Sequence, residues 1–271
     1  MDLAAASLCV VTLFGVSGLA LATKALDFAG AVAGLTVGSA ILLFGGWEWF
    51  LLLLTFFVVA GLSTRFRFDQ KRRMGFSEGL GGTRGWRNVL ANGGLCAVFA
   101  VAYGVSTYRP FLWAYIGAVS TSMADTLATE FGLLNPHEPR LITDLGRKIP
   151  AGTSGGVSPD GEAASLLGST LLSAVAWFVG FGSKGSIVPI LGLVSGFLGS
   201  TFDSLLGATI QVKFVCEVCG RTVEKRVHCG RAASPASGLR FMDNNLVNFL
   251  ATLFGAASCV ILAFLFTPFG S

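Results

Sequence analysis

Apolar residues in this chain come in long, almost unbroken runs separated by short polar stretches. A membrane-spanning helix needs about 20 mostly apolar residues. Eight runs approach that length, at 3–22, 28–46, 47–64, 88–107, 110–128, 162–182, 186–209 and 244–267. The break inside 28–64 falls at GGWEW, residues 45–49, and reading through it would leave seven spans. The pattern predicts an all-α, polytopic transmembrane helix bundle of about eight spans, a single integral membrane domain over residues 1–271. Asp2 is the only charge ahead of the first run, which lacks the basic flank of a signal peptide and reads as a retained helix.

Composition strengthens this picture. Of the 271 residues 53% are hydrophobic and 13% charged, about half the charged share of soluble domains, and the mean hydropathy is +0.71. The 36 glycines suit helices that approach one another closely. Basic residues gather in alternate loops. The first, third, fifth and seventh hold Lys24, then Arg65, Arg67, Lys71, Arg72, Arg73, Arg84 and Arg87, then Arg140, Arg147 and Lys148, then Lys213, Arg221, Lys225, Arg226, Arg231 and Arg240. The even loops hold only Arg109 and Lys184. By the positive-inside rule the odd loops are expected in the cytoplasm and both termini outside. The net charge of +4 then describes one membrane face rather than a nucleic-acid-binding surface.

Acids fall on the same face. Asp125 and Glu130 close the fifth run, Asp203 lies in the seventh, and Asp243 opens the eighth beside Asn244, Asn245 and Asn248. A carboxylate inside a span costs ~2.5–3.5 kcal/mol at mid-membrane, and such groups usually face a cavity, a partner or a pathway. Asp27, Asp160 and Glu162 read as residues that solvate helix ends. Asp125 and Asp203 sit a turn or more inside their runs, among Ser, Thr and Gly. Acids and short hydroxyl side chains at one depth suit a hard cation such as Mg²⁺, which takes one or two carboxylates and completes its shell with water and phosphate. An ion pathway could use the same groups.

Three loops add candidate chemistry. GRKIPAGTSGGVSPDG (146–161) places Arg147 and Lys148 before a glycine pair that leads into a helix, an arrangement that can hold phosphate through backbone N–H groups and charge-assisted contacts. It lacks the Walker spacing. GGTRGWRNVLANGG (81–94) carries Arg84, Arg87 and Asn92 among the glycines 81, 82, 85, 93 and 94, and reads as a second phosphate-facing segment. The bases from Arg65 to Arg73 read as topology determinants near anionic lipid. In the loop 211–240, CEVCGRTVEKRVHCG brings Cys216, Cys219, His228 and Cys229 into zinc-knuckle-like spacing. The adjacent His and Cys are an unusual ligand pair, which leaves open a spare or catalytic role for one of the two. A cytoplasmic location argues against a disulfide, and structural Zn²⁺ is expected there.

Together STSMADTLATEFG, PRLITDLGRKIPAGTSGGVSPDGEAASLLGS, GFLGSTFDSLLGATIQ, DNNLVNFLAT and RNVLANGG resemble the membrane family that includes plant and cyanobacterial phytyl-phosphate kinase. That family has archaeal members and a human multi-spanning homologue. The likeness covers roughly residues 70–255, and the Cys/His insert departs from it. The family is distantly similar to dolichol kinase, phytol kinase and CDP-diacylglycerol synthase. The resemblance implies a phosphotransferase that passes a phosphoryl group from a nucleoside triphosphate, CTP by the family, to an isoprenyl or phytyl monophosphate. It implies Asp125, Asp203 and Asp243 as catalytic acids that organise Mg²⁺ with the nucleotide, and Glu130 beside them. Arg84, Arg87, Asn92, Asp144, Arg147, Lys148, Thr153, Ser154 and Asn244 would hold phosphate or nucleotide. The expected site lies at the cytoplasmic face, on the plasma membrane in a prokaryote, with homodimerisation left open. The alternatives are a polyprenol kinase, a CDP-lipid-forming cytidylyltransferase, or an ion- or phosphate-coupled transporter, the last on the weak similarity of GAVSTSMADTLAT to GFLGSTFDSLLGA.

Overall fold

In hydrocarbon a helix is the simplest way for an apolar run to satisfy its own backbone, and every run is helical. The computed structural model describes residues 3–74, 82–182, 187–224 and 226–266; Gly81, Lys184 and Lys225 lie outside them. The first helices are α1 (Leu3–Ala22), α2 (Phe28–Phe44), α3 (Trp47–Arg65) and the short basic α4 (Phe68–Arg73). They are followed by α5 (Trp86–Ser106), α6 (Arg109–Gly132), α7 (Pro159–Ala176), α8 (Val188–Thr209) and α9 (Asn244–Phe266). A π-turn continues α7 to Phe181.

The ends have local causes. Asp27 caps α2 by accepting from Gly30 N at 2.6 Å, and Ser158 caps α7 by accepting from Gly161 N at 3.2 Å, with Pro159 at the first helical position. The turn between α2 and α3 needs Gly46 at φ +93°, so 28–64 divides where GGWEW suggested.

Five helices are long and apolar enough to cross a membrane by length and composition: α3, α5, α7 with its π-turn, α8 and α9. The 17-residue α2 is a shorter apolar helix, and the part of α1 with described side chains, Val10–Ala22, is apolar as well. The chain is thus a polytopic helical membrane protein, and five helices meet that standard among the described residues. The 24-residue α6 falls outside the five because its second half, from Ser120 to Glu130, is polar.

The all-α expectation describes the bundle but not its links. Between α6 and α7, β1 (Arg140–Leu141), β2 (Asp144–Lys148) and β3 (Gly156–Val157) form an antiparallel sheet in the order β2-β1-β3. Between α8 and α9, β4 (Lys213–Val215), β5 (Thr222–Val223) and β8 (Ser234–Ser237) form a second sheet in the order β5-β4-β8. Between its strands, β6 (Val227–His228) and β7 (Arg231–Ala232) pair as a hairpin.

The core is built around α6, which packs against α3, α5, α7, α8 and α9 and is buried continuously from Leu112 to Ala124. Tyr115, fully buried, donates to Trp49 O at 2.5 Å. Several buried hydroxyls answer to backbone: Thr121 Oγ1 donates to Gly117 O at 2.9 Å and Ser122 Oγ to Asn92 O at 3.0 Å. Small residues let the helices close on one another. A Cβ on Gly196 of α8 would lie 2.8 Å from Ser169 Cβ and 2.9 Å from Ser120 Cβ. This is the small-residue packing of membrane helices. It brings the C-terminal ends of α6 and α8 beside the N-terminal ends of α5, α7 and α9.

Candidate phosphate-ligand site at one end of the bundle

A cavity of about 850 Å³ opens at that end. Asp125 enters from α6, Asp203 and Ser204 from α8, and Asn244 and Asn248 from the first turns of α9. Charged neighbours of Asp203 are Asp125 and Glu224. With its amide oxygen and nitrogen interchanged to suit its neighbours, Asn248 donates to Asn244 O at 2.8 Å and to Asp203 Oδ2 at 3.3 Å. Two carboxylates with amide and hydroxyl neighbours therefore form one wall.

Lys71, Arg84 and Arg221 bring positive charge to the lining. Lys71 of α4 is 3% exposed and reaches Glu130 Oε2 at 2.5 Å while donating to Ser63 O at 2.8 Å. Thr64 Oγ1 donates to Glu130 Oε1 at 2.6 Å and accepts from Arg84 Nη2 at 3.1 Å. The Arg84 backbone is clamped to the α1–α2 turn: its N–H donates to Ala25 O at 3.0 Å and its carbonyl accepts from Asp27 N at 3.1 Å. Gly30 is needed for that contact, because a Cβ there would lie 2.5 Å from Arg84 O.

Loops complete the enclosure. Residues 150–158 line one side, with Gly152 at φ +76° and Gly155 at φ +82° turning the chain. Residues 219–224 of the α8–α9 link line another. The two are bonded: Ser154 Oγ donates to Glu224 Oε1 at 2.5 Å, and Lys213 Nζ to Ser154 O at 3.2 Å. Burial pushes the Lys213 amine below its ordinary range, with Glu224 acting upward and Arg147 downward. A smaller apolar cleft of about 90 Å³ lies between α1, α2, α3 and α5, and it shares Arg84, Asn88 and Asn92 with the polar cavity.

Of the residues expected from sequence, Asp125, Glu130, Asp203, Arg84, Asn92, Thr153, Ser154 and Asn244 line this cavity. Five do not. Asp243 caps α9 by accepting from Leu246 N at 3.1 Å, and its other oxygen accepts from Arg87 Nη2 at 2.7 Å. The pair lies outside the cavity lining, with the two side chains 59% and 31% exposed. Asp144, Arg147 and Lys148 lie on β2, which is exposed along its whole length. Glu130, expected as a catalytic acid, is engaged by Lys71 and Thr64. Lys71, Thr64, Arg221 and Glu224 were not singled out from sequence. Lys71 is one of five bases in RFRFDQKRR, and no local pattern separates the one that turns inward.

The knuckle residues do converge. The ligand atoms of Cys216, Cys219, His228 and Cys229 all lie within 4.8 Å of one another, and Cys219 and His228 also line the cavity. The Cys216 thiol is lowered to about 6 by a hydrogen bond with His228 and by the Cys219 backbone, against the opposing effect of burial.

Comparison with known proteins gives a consistent family. The model of the family described as integral membrane protein DUF92 matches residues 11–256. Protein PGR of Arabidopsis thaliana is 32% identical over 253 residues, covering 85% of this chain and 86% of its own. Uncharacterized membrane protein MJ0933 of Methanocaldococcus jannaschii is 30% identical over 70% of this chain and 77% of its own. Protein VTE6, chloroplastic, of Arabidopsis thaliana is 25% identical over 91% of this chain and 68% of its own. No solved structure matches.

Proposed function

The chain belongs to the DUF92 family of integral membrane proteins, and from that premise we propose that it is a lipid-phosphate kinase. It passes the γ-phosphoryl group of a nucleoside triphosphate, CTP by the family resemblance, to an isoprenyl monophosphate at the cytoplasmic membrane face. The observation that carries this reading is the meeting of two spaces: a polar cavity lined by both acids and cations, and an apolar cleft that shares Arg84, Asn88 and Asn92 with it. An amphiphile with a phosphate head would set the head in the polar cavity and the first few carbons of its tail in the cleft, with the rest of the tail in lipid. Its head meets Arg84, and each buried methylene of the tail contributes ~0.8 kcal/mol.

Phosphoryl transfer depends mainly on positioning and on neutralising the transferring oxygens. The acceptor is a phosphate monoester whose second pKa is about 6, so at neutral pH its oxygen attacks without a strong base. A bond forms from that oxygen to the γ-phosphorus as the bond to the β-phosphate oxygen breaks, and the nucleoside diphosphate leaves with those electrons. Arg84 and Arg221 hold phosphate oxygens, and the backbone amides of residues 151–156 cradle the nucleotide. Asp125 and Asp203, with Ser204 and Asn244 near them, are an oxygen donor set that fits Mg²⁺ completed by water and phosphate. When bound, that ion supplies charge neutralisation on the phosphates.

Purified protein in lipid nanodiscs with Mg²⁺, CTP and geranylgeranyl or phytyl monophosphate is expected to yield the prenyl diphosphate and CDP, read by mass spectrometry. A monophosphate made from the free alcohol, or a CDP-lipid, would transfer the site to a sister reaction. No product from any nucleotide and prenyl phosphate would refute the kinase reading.

A further inference from the structure

The link between α8 and α9 has too little apolar interior to hold its own shape. Its core is Val212, Phe214 and Ala233, with Val223 packed against them. Chains below roughly 40 residues usually need a disulfide, a metal or a partner to fold. Disulfides do not supply the staple, because Cys216, Cys219 and Cys229 are free thiols.

Two tight turns bring the thiols and one imidazole together. In the first, Gly220 N donates to Cys216 O at 2.8 Å and Cys216 N to Arg221 O at 3.0 Å, with Gly220 at φ +69°. In the second, Cys229 at φ +50° and Gly230 at φ +74° form the two-residue turn between β6 and β7. Positive φ at both positions is the type I′ pattern, which favours Asn-Gly or Gly-Gly. A cysteine held there is an expense without a ligand to offset it. His228 turns Nδ1 toward the thiols, 3.5 Å from Cys219 Sγ and 3.3 Å from Cys229 Sγ. Tetrahedral zinc with Zn–S ≈ 2.3 Å and Zn–N ≈ 2.0–2.1 Å separates its ligands by about 3.5–3.8 Å, close to these spacings.

We infer that Cys216, Cys219, His228 and Cys229 bind one Zn²⁺ ion, and that this ion shapes the wall of the neighbouring cavity. The two ligand pairs bracket Gly220–Glu224, the segment that lines the cavity and carries Arg221 and Glu224. Zinc clamps both ends of that segment. The clamp keeps Glu224 on Ser154 and Lys213 on the Ser154 carbonyl, and through them fixes the glycine-rich loop. The inference concerns the wall's order and stands whether or not the site transfers phosphate.

The test uses the full-length protein, reduced and in nanodiscs. Elemental analysis should find one zinc per chain, lost in Cys219→Ser and Cys229→Ser and retained in Cys259→Ser, whose thiol is buried in the bundle. Hydrogen exchange measured before and after zinc removal by a chelator should quicken at least about tenfold at residues 153–156 and 221–224, with the α6 amides unchanged. Absence of stoichiometric zinc, together with failure to take up added zinc or cobalt, would overturn the site. Bound zinc whose removal leaves exchange at residues 153–156 unchanged would overturn the coupling. Loss of kinase activity alone bears on neither arm.

Discussion

A lysine that is 3% exposed needs a partner, and Lys71 has Glu130 at 2.5 Å and the Ser63 carbonyl at 2.8 Å. Removing one member of a buried pair strands the other. Lys71→Met should lower stability by about 2–3 kcal/mol, toward the low end for buried pairs because Glu130 borders the cavity and is 15% exposed. The double variant Lys71→Met, Glu130→Gln should recover at least about 1 kcal/mol of that loss, read as thermal midpoint shifts; simple additivity would count against the pair. Arg87 and Asp243 offer the contrast, being 59% and 31% exposed. Arg87→Ala should change stability by less than about 1 kcal/mol. At this scale the sequence was legible where chemistry is unusual and opaque where it is repeated. An aspartate among small residues of an apolar run stands out, as Asp125 and Asp203 did. One inward lysine among five bases does not, and neither does a pairing between Arg87 and Asp243 across 156 residues.

The helices were legible because their hydrophobic runs end in polar residues with known roles. The run 3–22 is α1 itself, and 244–267 coincides with α9 as far as the described residues reach. Boundaries moved where polar residues continue a helix. α6 runs on to Gly132, so Glu130 lies on the helix rather than beyond it, and α7 begins at Pro159 behind the Ser158 cap, a turn before Glu162. Which glycines matter was not legible, since it depends on what stands opposite. A Cβ on Gly117 would strike Gly255 O of α9, and one on Gly199 would strike Thr121 of α6, whereas Gly61 of α3 has nothing within 4 Å. Gly117→Ala and Gly199→Ala should each destabilise by about 1–3 kcal/mol as overpacked contacts. Gly61→Ala should be neutral or slightly stabilising. Equal effects at all three, measured by thermal unfolding, would contradict the close approach of α6 with α8 and α9.

Across the whole molecule, helix ends that are far apart in sequence gather at one end. The basic residues expected on one membrane face belong to the loops beside the cavity, while the α2–α3 and α5–α6 turns lie at the opposite ends of their helices. Cysteines introduced at Leu145 on β2 and at Thr107, both exposed, should therefore label from opposite sides of sealed vesicles. Labelling from one side would break the one-face arrangement.

That arrangement brings Asp125 and Asp203, from two different helices, into one cavity, where the proposed divalent ion would meet the phosphates. The direct measurement is a double-variant cycle on Mg²⁺-dependent prenyl diphosphate formation. Asp125→Asn and Asp203→Asn are each expected to lower kcat/KM at least about 100-fold, and the pair together no further than the worse single variant. Losses that multiply, or a variant that keeps full activity, would mean that the two acids do not serve a common ion.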